Sequence, residues 1–240
     1  MSRLKHAVRT NFDASADAYE AYESSSGRFA ELASRLAEGI DDVERALDAG
    51  AGTGASTRVF RERWEEVVAL DASRTMLQSV EESRLVGDFD RLPFDRETFD
   101  VVAYAASIFL VDDPDDALAE AERVLRPGGR VVAAIPIGWR VDGEDPFEDL
   151  ERAPRTPASA ERVTDAVDAR FSTVETGEWT IDSSAADLRG FHRVPAMAAR
   201  LYPKRSHDER VAAVKRLLDD ACLDGDVSQR WRWVVASREP

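Results

Sequence analysis

The feature that most constrains the fold is a glycine-rich segment at residues 47–55, LDAGAGTGA, placed between two regular elements. An apolar run typical of a buried strand precedes the glycines, and a helical pattern follows them. Glycine at Gly50, Gly52 and Gly54 lets a ligand lie against the main chain without meeting a Cβ atom. Backbone N–H groups at the start of the helix face the same turn. The segment therefore predicts a strand–turn–helix unit with a ligand in the turn.

Strand-like and helix-like segments alternate through the first half of the chain. The apolar runs of strand length lie at 45–49, 66–70, 84–87, 100–106 and 130–137. Amphipathic helices are expected over 28–40 and 113–126, and the second begins at Asp113-Pro114 and stops at the turn-forming segment Arg126-Pro-Gly-Gly. This alternation is typical of a doubly wound α/β fold, with a mostly parallel sheet covered on both faces.

The second half has a looser pattern, with two more strands that bring the predicted sheet to seven. Residues 184–223 form a helical insertion before the last strand, too long for a hairpin loop. The predicted elements are a loop over 138–160, a helix over about 158–170, strands over 172–181 and 229–238, a helix over Asp187–Leu201, and a helix that starts at the capping box Ser206–Glu209.

A carboxylate ends the second strand where a nucleotide-binding protein would hold a ribose. Asp71 lies about 20 residues after the first glycine and can accept hydrogen bonds from both ribose hydroxyls. It can equally cap a helix over Ser73–Val80. The spacing Gly50-x-Gly52-x-x-Ala55 also fits the dinucleotide fingerprint. Because NAD and S-adenosylmethionine share the adenosine, these residues leave both cofactors open.

The motifs that follow resemble, in order, those of class I S-adenosylmethionine-dependent methyltransferases of the type 11 group, over residues 44–136. Besides the glycine turn they are Asp71-x-Ser73-x-x-Met76-Leu77, Gly87-Asp88-Phe89, Leu92-Pro93-Phe94 with Phe99-Asp100, and RVLRPGGR at 123–130. The resemblance implies a Rossmann-like fold and S-adenosyl-L-methionine as the cofactor. In that family Asp71 would bind the ribose, Asp88 the adenine amino group, and Phe89 would lie near the adenine. The complete predicted cofactor-binding set is Asp48, Gly50, Gly52, Gly54, Asp71, Met76, Asp88 and Phe89, with no metal.

The resemblance also implies how the chain is divided. It predicts a single methyltransferase domain over 1–240, with an N-terminal helical cap at 1–40, a cofactor-binding core at 41–137, and a C-terminal half at 138–240 that contains the acceptor-site insertion 184–223. The layout outside the core resembles malonyl-carrier-protein and trans-aconitate O-methyltransferases. Tyr19 and Tyr22 would fold over the cofactor or pack between helices. Trp139, Phe191 and Tyr202 would contact the acceptor or pack the added helices.

No catalytic residue can be named from the sequence. A sulfonium carries its own activated methyl group, so the enzyme chiefly needs to align the reactants. Many relatives have a His-His pair after the fourth strand, but this chain has Phe109 and Leu110, and its three histidines, His6, His192 and His207, are scattered. The lack of a base favours an acceptor that arrives ionised, such as a carboxylate.

The predicted partner is thus a small-molecule acceptor. Arg189, Arg193 and Arg200 in the insertion could hold a carboxylate, although solvated surface positions fit them as well. A quinone or phenol is the second choice of acceptor. An NAD-dependent oxidoreductase and a cofactor-binding subunit without activity are the alternatives from other classes.

Composition limits the partners and the location. The formal net charge is −15, from 47 acidic and 32 basic residues of which three are lysines, so nucleic acid is not an expected partner;. Such an acidic surplus suggests a salt-rich cytoplasm, a hypothesis that a melting temperature flat or falling with KCl would refute. There is no apolar run of the roughly 20 residues that a membrane span needs, and the single Cys222 excludes an internal disulfide;. These observations predict a cytoplasmic protein.

Overall fold

The described part of the chain forms one seven-stranded sheet. This computed structural model describes residues 3–81, 83–111, 113–148, 158–202, 205–221 and 223–240, and the side chains of Arg200 and His207 also lie outside the description. The strands are β1 Arg45–Ala49, β2 Glu66–Asp71, β3 Arg84–Val86, β4 Phe99–Ala105, β5 Leu125–Val141, β6 Ser172–Ser183 and β7 Val227–Ser237. The strand order across the sheet is β3-β2-β1-β4-β5-β7-β6. The fold is α/β and the sheet is mostly parallel, as predicted.

Strands β1 to β5 pair in parallel, and only β7 runs against its neighbours β5 and β6. The order reverses between β1 and β4, because the chain first builds outward to β3 and then returns to the other side of β1. In open α/β sheets, ligands bind where the strand order reverses, at the carboxyl ends of the strands. The topology therefore puts the glycine turn after β1 at the expected ligand site.

Helices cover both faces of the sheet. They are α1 Arg3–Asp13, α2 Ala16–Ser26, α3 Arg28–Leu36, α4 Ala55–Arg61, α5 Pro114–Val124, α6 Ala160–Asp168, α7 Ala185–Arg193, α8 Pro195–Leu201 and α9 His207–Asp220, with 3₁₀ turns at Met76–Ser79 and Ile108–Leu110. The two larger apolar clusters of described residues lie around Phe29, Leu32 and Trp231 and around Leu47, Val102 and Leu118. None of the described helices is long and apolar enough to cross a membrane.

Strand β5 differs most from its prediction. It begins at Leu125, so the Arg126-Pro-Gly-Gly segment is an irregularity within a strand rather than a turn before it, and the pairing with β4 shifts register there. It also continues to Val141, into the predicted loop 138–160, because antiparallel pairing with β7 satisfies its backbone along that length;. Residues 149–157 of that loop lie outside the described residues.

The predicted helices form with shorter bounds. The helix expected over 28–40 ends at Leu36, and the one expected over Asp187–Leu201 is two helices, because Val194 is extended and Pro195 begins a new helix;. The capping box at Ser206 is present. Asp113 caps α5 as expected, since its carboxylate accepts a hydrogen bond from the N–H of Asp115. The prediction for Cys222 lies outside the described residues.

Candidate active site

A cleft opens at the carboxyl ends of β1, β2 and β4 and encloses about 980 Å³ of empty space, counted out to its open mouth. One side is formed by the glycine turn and by the segments that follow β2 and β3. The other side is formed by α1, the 3₁₀ turn after β4, α7, α8 and β7. The described lining includes six of the eight residues of the predicted cofactor-binding set, and Asp48 and Gly54 are the two that it omits.

The glycine turn is held tightly between its neighbouring strands. The N–H groups of Gly50 and Ala51 both donate to the carbonyl of Leu70, over 2.7 and 3.0 Å. The hydroxyl of Ser107, just beyond β4, donates to the carbonyl of Ala49 over 2.5 Å. Gly50 has a φ of 86°, and a Cβ atom there would lie 2.4 Å from Cβ of Ser107. Only glycine therefore fits at this position.

Asp71 lies at the end of β2 with its carboxylate turned towards the glycine turn. Oδ2 accepts a hydrogen bond from the N–H of Gly52 over 3.0 Å, and Oδ1 accepts one from the N–H of Ser73 over 2.8 Å. Burial raises the pKa of Asp71 to about 6, although the hydrogen bonds from these two N–H groups act in the opposite direction. A carboxylate offers about four lone-pair positions, so these hydrogen bonds do not use all of its capacity to accept. Asp71 thus shapes the turn and still has the capacity to bind a diol. It does not cap a helix over Ser73–Val80, because the structure has only a 3₁₀ turn there, Met76–Ser79, with Thr75 at its N-cap.

Asp48 lies behind the turn and not in the cleft. The side chain is fully buried, and Oδ2 accepts hydrogen bonds from the hydroxyls of Ser56 and Thr57 over 2.7 and 2.6 Å. Burial raises the pKa of Asp48 to about 6. This carboxylate fixes the first turn of α4 against β1. Gly54 also serves the turn itself, since it precedes α4 with a φ of 88°.

The predicted adenine side of the cleft contains an ion pair that the sequence did not reveal. Nζ of Lys5, on α1, lies 3.0 Å from both carboxylate oxygens of Asp88 and also pairs with Asp90. Phe89 packs edge-on against Tyr104, with ring centroids 5.6 Å apart. Lysine at position 5 carries no local signal of a partner more than 80 residues away.

Tyr19 and Met76 both lie next to Gly52 of the glycine turn. A Cβ atom at Gly52 would lie 3.3 Å from Cε of Met76 and 3.9 Å from Cε1 of Tyr19. Tyr19 stacks on Phe29, with centroids 4.8 Å apart and planes within 10°. Burial raises the pKa of Tyr19 well above its ordinary value, so its phenol stays protonated. Tyr22 does not line the cleft.

The second half of the described cleft lining is largely apolar. Its wall includes Phe12, Phe109, Phe191 and Trp231. Half-buried Arg9 also faces this space, and within the described part of the chain no ion pair or hydrogen bond engages its side chain.

The arginines and aromatic residues expected from the insertion are only partly at the cleft. Arg189 and Arg193 do not line it, and Arg193 lies 3.8 Å from Asp219 on the surface. Arg193 is exposed and Arg189 is half-buried outside the cleft. Of the three aromatic candidates only Phe191 reaches the cleft, since Trp139 packs behind it with centroids 5.6 Å apart and Tyr202 contacts Arg205 instead.

Neither of the two histidine side chains that the structure describes, those of His6 and His192, lines the cleft. His6 is exposed, and the side chain of His207 lies outside the description. His192 is buried, with Nδ1 2.9 Å from the carbonyl of Leu188 and its ring 4.7 Å from that of Phe147. The structure describes no cluster of metal-ligating side chains within the ranges given above.

The sequence of the chain is similar to those of known methyltransferases. Residues 47–133 match the family model described as a methyltransferase domain. The chain is 36% identical over 132 residues to malonyl-[acyl-carrier protein] O-methyltransferase of Salmonella typhimurium, covering 53% of this chain and 52% of that one. It is 40% identical over 96 residues to demethylmenaquinone methyltransferase of Renibacterium salmoninarum, covering 38% and 40%. The chain thus spans about half the length of the curated relatives that it matches.

A solved structure shows the same fold. Phosphoethanolamine N-methyltransferase 2 of Haemonchus contortus, in complex with phosphomonomethylethanolamine and S-adenosylhomocysteine, superimposes with a TM-score of 0.61 at 19% identity. The match covers 95% of this chain and 58% of that one. The likeness therefore extends over nearly the whole chain, including the helices outside the family match.

Proposed function

Residues 47–133 match a methyltransferase domain, and from this premise we propose that the chain is a class I S-adenosylmethionine-dependent methyltransferase that transfers a methyl group to a small molecule in the cleft. The observation that carries the proposal is the arrangement at the glycine turn. Asp71 keeps some capacity to accept hydrogen bonds beside a turn that excludes side chains, and Asp88 lines the same cleft. These two hydrogen-bond acceptors fit the hydroxyls of a ribose and the amino group of an adenine.

The cofactor supplies an activated methyl group on a positively charged sulfonium. The residues of the chain bind and orient: Asp71 would hold the ribose, Asp88 the adenine amino group, and Phe89 the face of the adenine. The methionine half would lie along the main chain at Gly52, while the missing side chain of Gly50 makes room for Ser107. The apolar wall at Phe109 excludes water from the opposite side, which favours direct in-line transfer.

We further propose that the acceptor is a carboxylate. The titratable side chains of the described lining are Lys5, Arg9, Tyr19, Asp71 and Asp88. Tyr19 is a protonated phenol, and the two carboxylates belong to the cofactor side. None of them is a suitable base on the apolar side, so an acceptor that is already ionised fits best. Arg9 would bind this carboxylate, a role that the sequence analysis gave to the arginines of the insertion.

The test uses the purified chain with methyl-labelled S-adenosylmethionine and metabolite extracts. We expect label in a product that releases methanol in mild alkali, as methyl esters do. Alkali-stable label would contradict the carboxylate and favour a phenol or quinone. Cofactor binding without transfer to any fraction would favour a subunit without activity.

Variants of two arginines sharpen the test. Arg9→Met should raise KM for the labelled acceptor at least tenfold, because a charge-assisted hydrogen bond is lost. The matched control is Arg193→Met, since Arg193 is half exposed and outside the cleft. Equal KM values for the two variants would exclude Arg9 as the carboxylate ligand.

A further inference from the structure

Three polar atoms on one face of the sheet are buried without a hydrogen-bond partner among the residues that the structure describes. They are Nε1 of Trp139, Oε1 of Gln229 and Nε1 of Trp231. The residues are only 4%, 1% and 1% exposed. Such groups are normally satisfied, because a buried polar atom without a hydrogen-bond partner destabilises the fold.

The pairing of β5 with β7 brings these three side chains together. Trp139 lies directly opposite Gln229 in the antiparallel register, a position that puts their Cβ atoms roughly 5 Å apart. Trp231 is two residues further along β7 and therefore on the same face. Both tryptophans belong to one apolar cluster with Phe191. We call Trp139, Gln229 and Trp231 the indole site.

The indole site adjoins the acceptor side of the cleft. Trp231 lines the cleft, and Trp139 contacts Phe191, which also lines it. Strand β7 is separated from β4 by β5 alone, so Trp231 lies two strand spacings, roughly 10 Å, from the end of β4. That end carries Ser107, which packs on the glycine turn. A group at Trp231 is therefore too far from the turn to be the atom that receives the methyl group.

The hydrogen-bonding pattern of the site matches one chemical group. An indole N–H can only donate, and an amide oxygen can only accept. The site thus offers two donors and one acceptor. A hydroxyl has one O–H to donate and two lone pairs to accept, which complements this set completely. The surrounding cluster is apolar, so a neutral hydroxyl suits it better than a charged group.

We propose that the indole site binds a hydroxyl at the end of the acceptor remote from the methylated atom. The inference rests on the proposed function, because it assumes that the acceptor occupies this side of the cleft. Trp231 then determines specificity: it selects an acceptor with an apolar body and a distal hydroxyl.

The experiment follows the indole N–H resonances of the ¹⁵N-labelled chain, of which there are five, after saturation with S-adenosylhomocysteine. The probes are phenol and toluene, which differ by a hydroxyl in place of a methyl group. Trp231→Phe and Trp139→Phe assign the two resonances and remove the donors. Trp179→Phe is the matched control, because Trp179 stacks on Trp233, away from the cleft.

We expect phenol to shift both assigned resonances and to bind at least tenfold more tightly than toluene. Trp231→Phe should abolish this preference and leave the affinity for S-adenosylhomocysteine unchanged, whereas Trp179→Phe should keep it. Equal affinity for the two probes, or no shift with either, overturns the inference. A long-lived water on both indoles that phenol does not displace also overturns it. Failure to bind S-adenosylhomocysteine would instead contradict the proposed function.

Discussion

The two sides of the cleft are built in different ways. The glycine-turn side comes from one continuous stretch, since Gly50, Asp71 and Asp88 follow successive strands β1, β2 and β3. Its polar contacts are largely made by the main chain. The acceptor side is assembled from distant segments, including α1, α7, α8 and β7, and its surface consists of side chains.

Because of this difference, the two sides of the cleft should tolerate amino-acid substitutions to different degrees. A main-chain site tolerates few substitutions, because each added atom meets a backbone or a neighbouring strand. A side-chain surface can change its shape and polarity while the fold persists. The same fold can therefore keep one cofactor and take different acceptors.

The largest effect is expected where the main-chain side is tightest. Gly50→Ala should lower the free energy of unfolding by about 2–5 kcal/mol, from left-handed strain and from overpacking against Ser107;. Binding of S-adenosylhomocysteine should be lost with it. Gly128→Ala is the control, because Gly128 has a similar φ of 77° with nothing within 4 Å of its added Cβ. Urea unfolding and calorimetry measure both, and equal losses in the two variants would show that the turn is not tightly packed.

The second prediction concerns the buried carboxylate behind the turn. The pKa of Asp48 is raised to about 6 in the fold, so the neutral form is favoured there. Stability from this group is fully present below the unfolded pKa near 4 and is lost as the pH rises through about 6. Asp48→Asn removes that titration, so the free energy of unfolding should vary by about 3 kcal/mol less between pH 4 and pH 7. Parallel pH profiles for the two proteins would contradict the burial argument.

The third prediction tests the ligand role of Asp71 against its structural role. Asp71→Ala should weaken binding of S-adenosylhomocysteine tenfold or more, because hydrogen bonds to a carboxylate contribute about 1.5–3 kcal/mol each. Asp100→Ala is the control: Asp100 also accepts two backbone N–H groups, those of Glu44 and Arg45, but away from the cleft. Both variants should lose stability, and only Asp71→Ala should lose affinity. If calorimetry finds equal affinities for the two variants, Asp71 has only a structural role in the turn.

The sequence predicted the two sides of the cleft unequally, for a physical reason. Gly50 and Asp71 could be found because they lie at the ends of successive strands, which meet at a topological switch point. Asp88 was predicted from the resemblance of its motif to that of a known family. The Lys5–Asp88 pair and the role of Arg9 could not, since their contacts join segments far apart in the chain. The indole site depends on the register of β5 with β7. That register required a strand through residues 138–141, where glycine and proline content had predicted a loop.

The smallest effect is expected at Lys5, where the two sides of the cleft meet. Its ammonium contacts both oxygens of Asp88, the group proposed to accept the adenine amino group. Exposed or partly exposed pairs contribute only about 0–1 kcal/mol, so Lys5→Met should leave the fold intact. It should raise the affinity for S-adenosylhomocysteine about threefold, since tenfold corresponds to about 1.4 kcal/mol.

The two proteins should converge in molar KCl, which screens the pair within a Debye length of about 3 Å. Lys215→Met, which removes an exposed pair with Asp219 on α9, should change neither affinity nor its salt dependence. Weaker binding by Lys5→Met would reverse the interpretation. In that case Lys5 orients Asp88 for the cofactor, and α1 belongs to the cofactor side of the cleft as well as to the acceptor side.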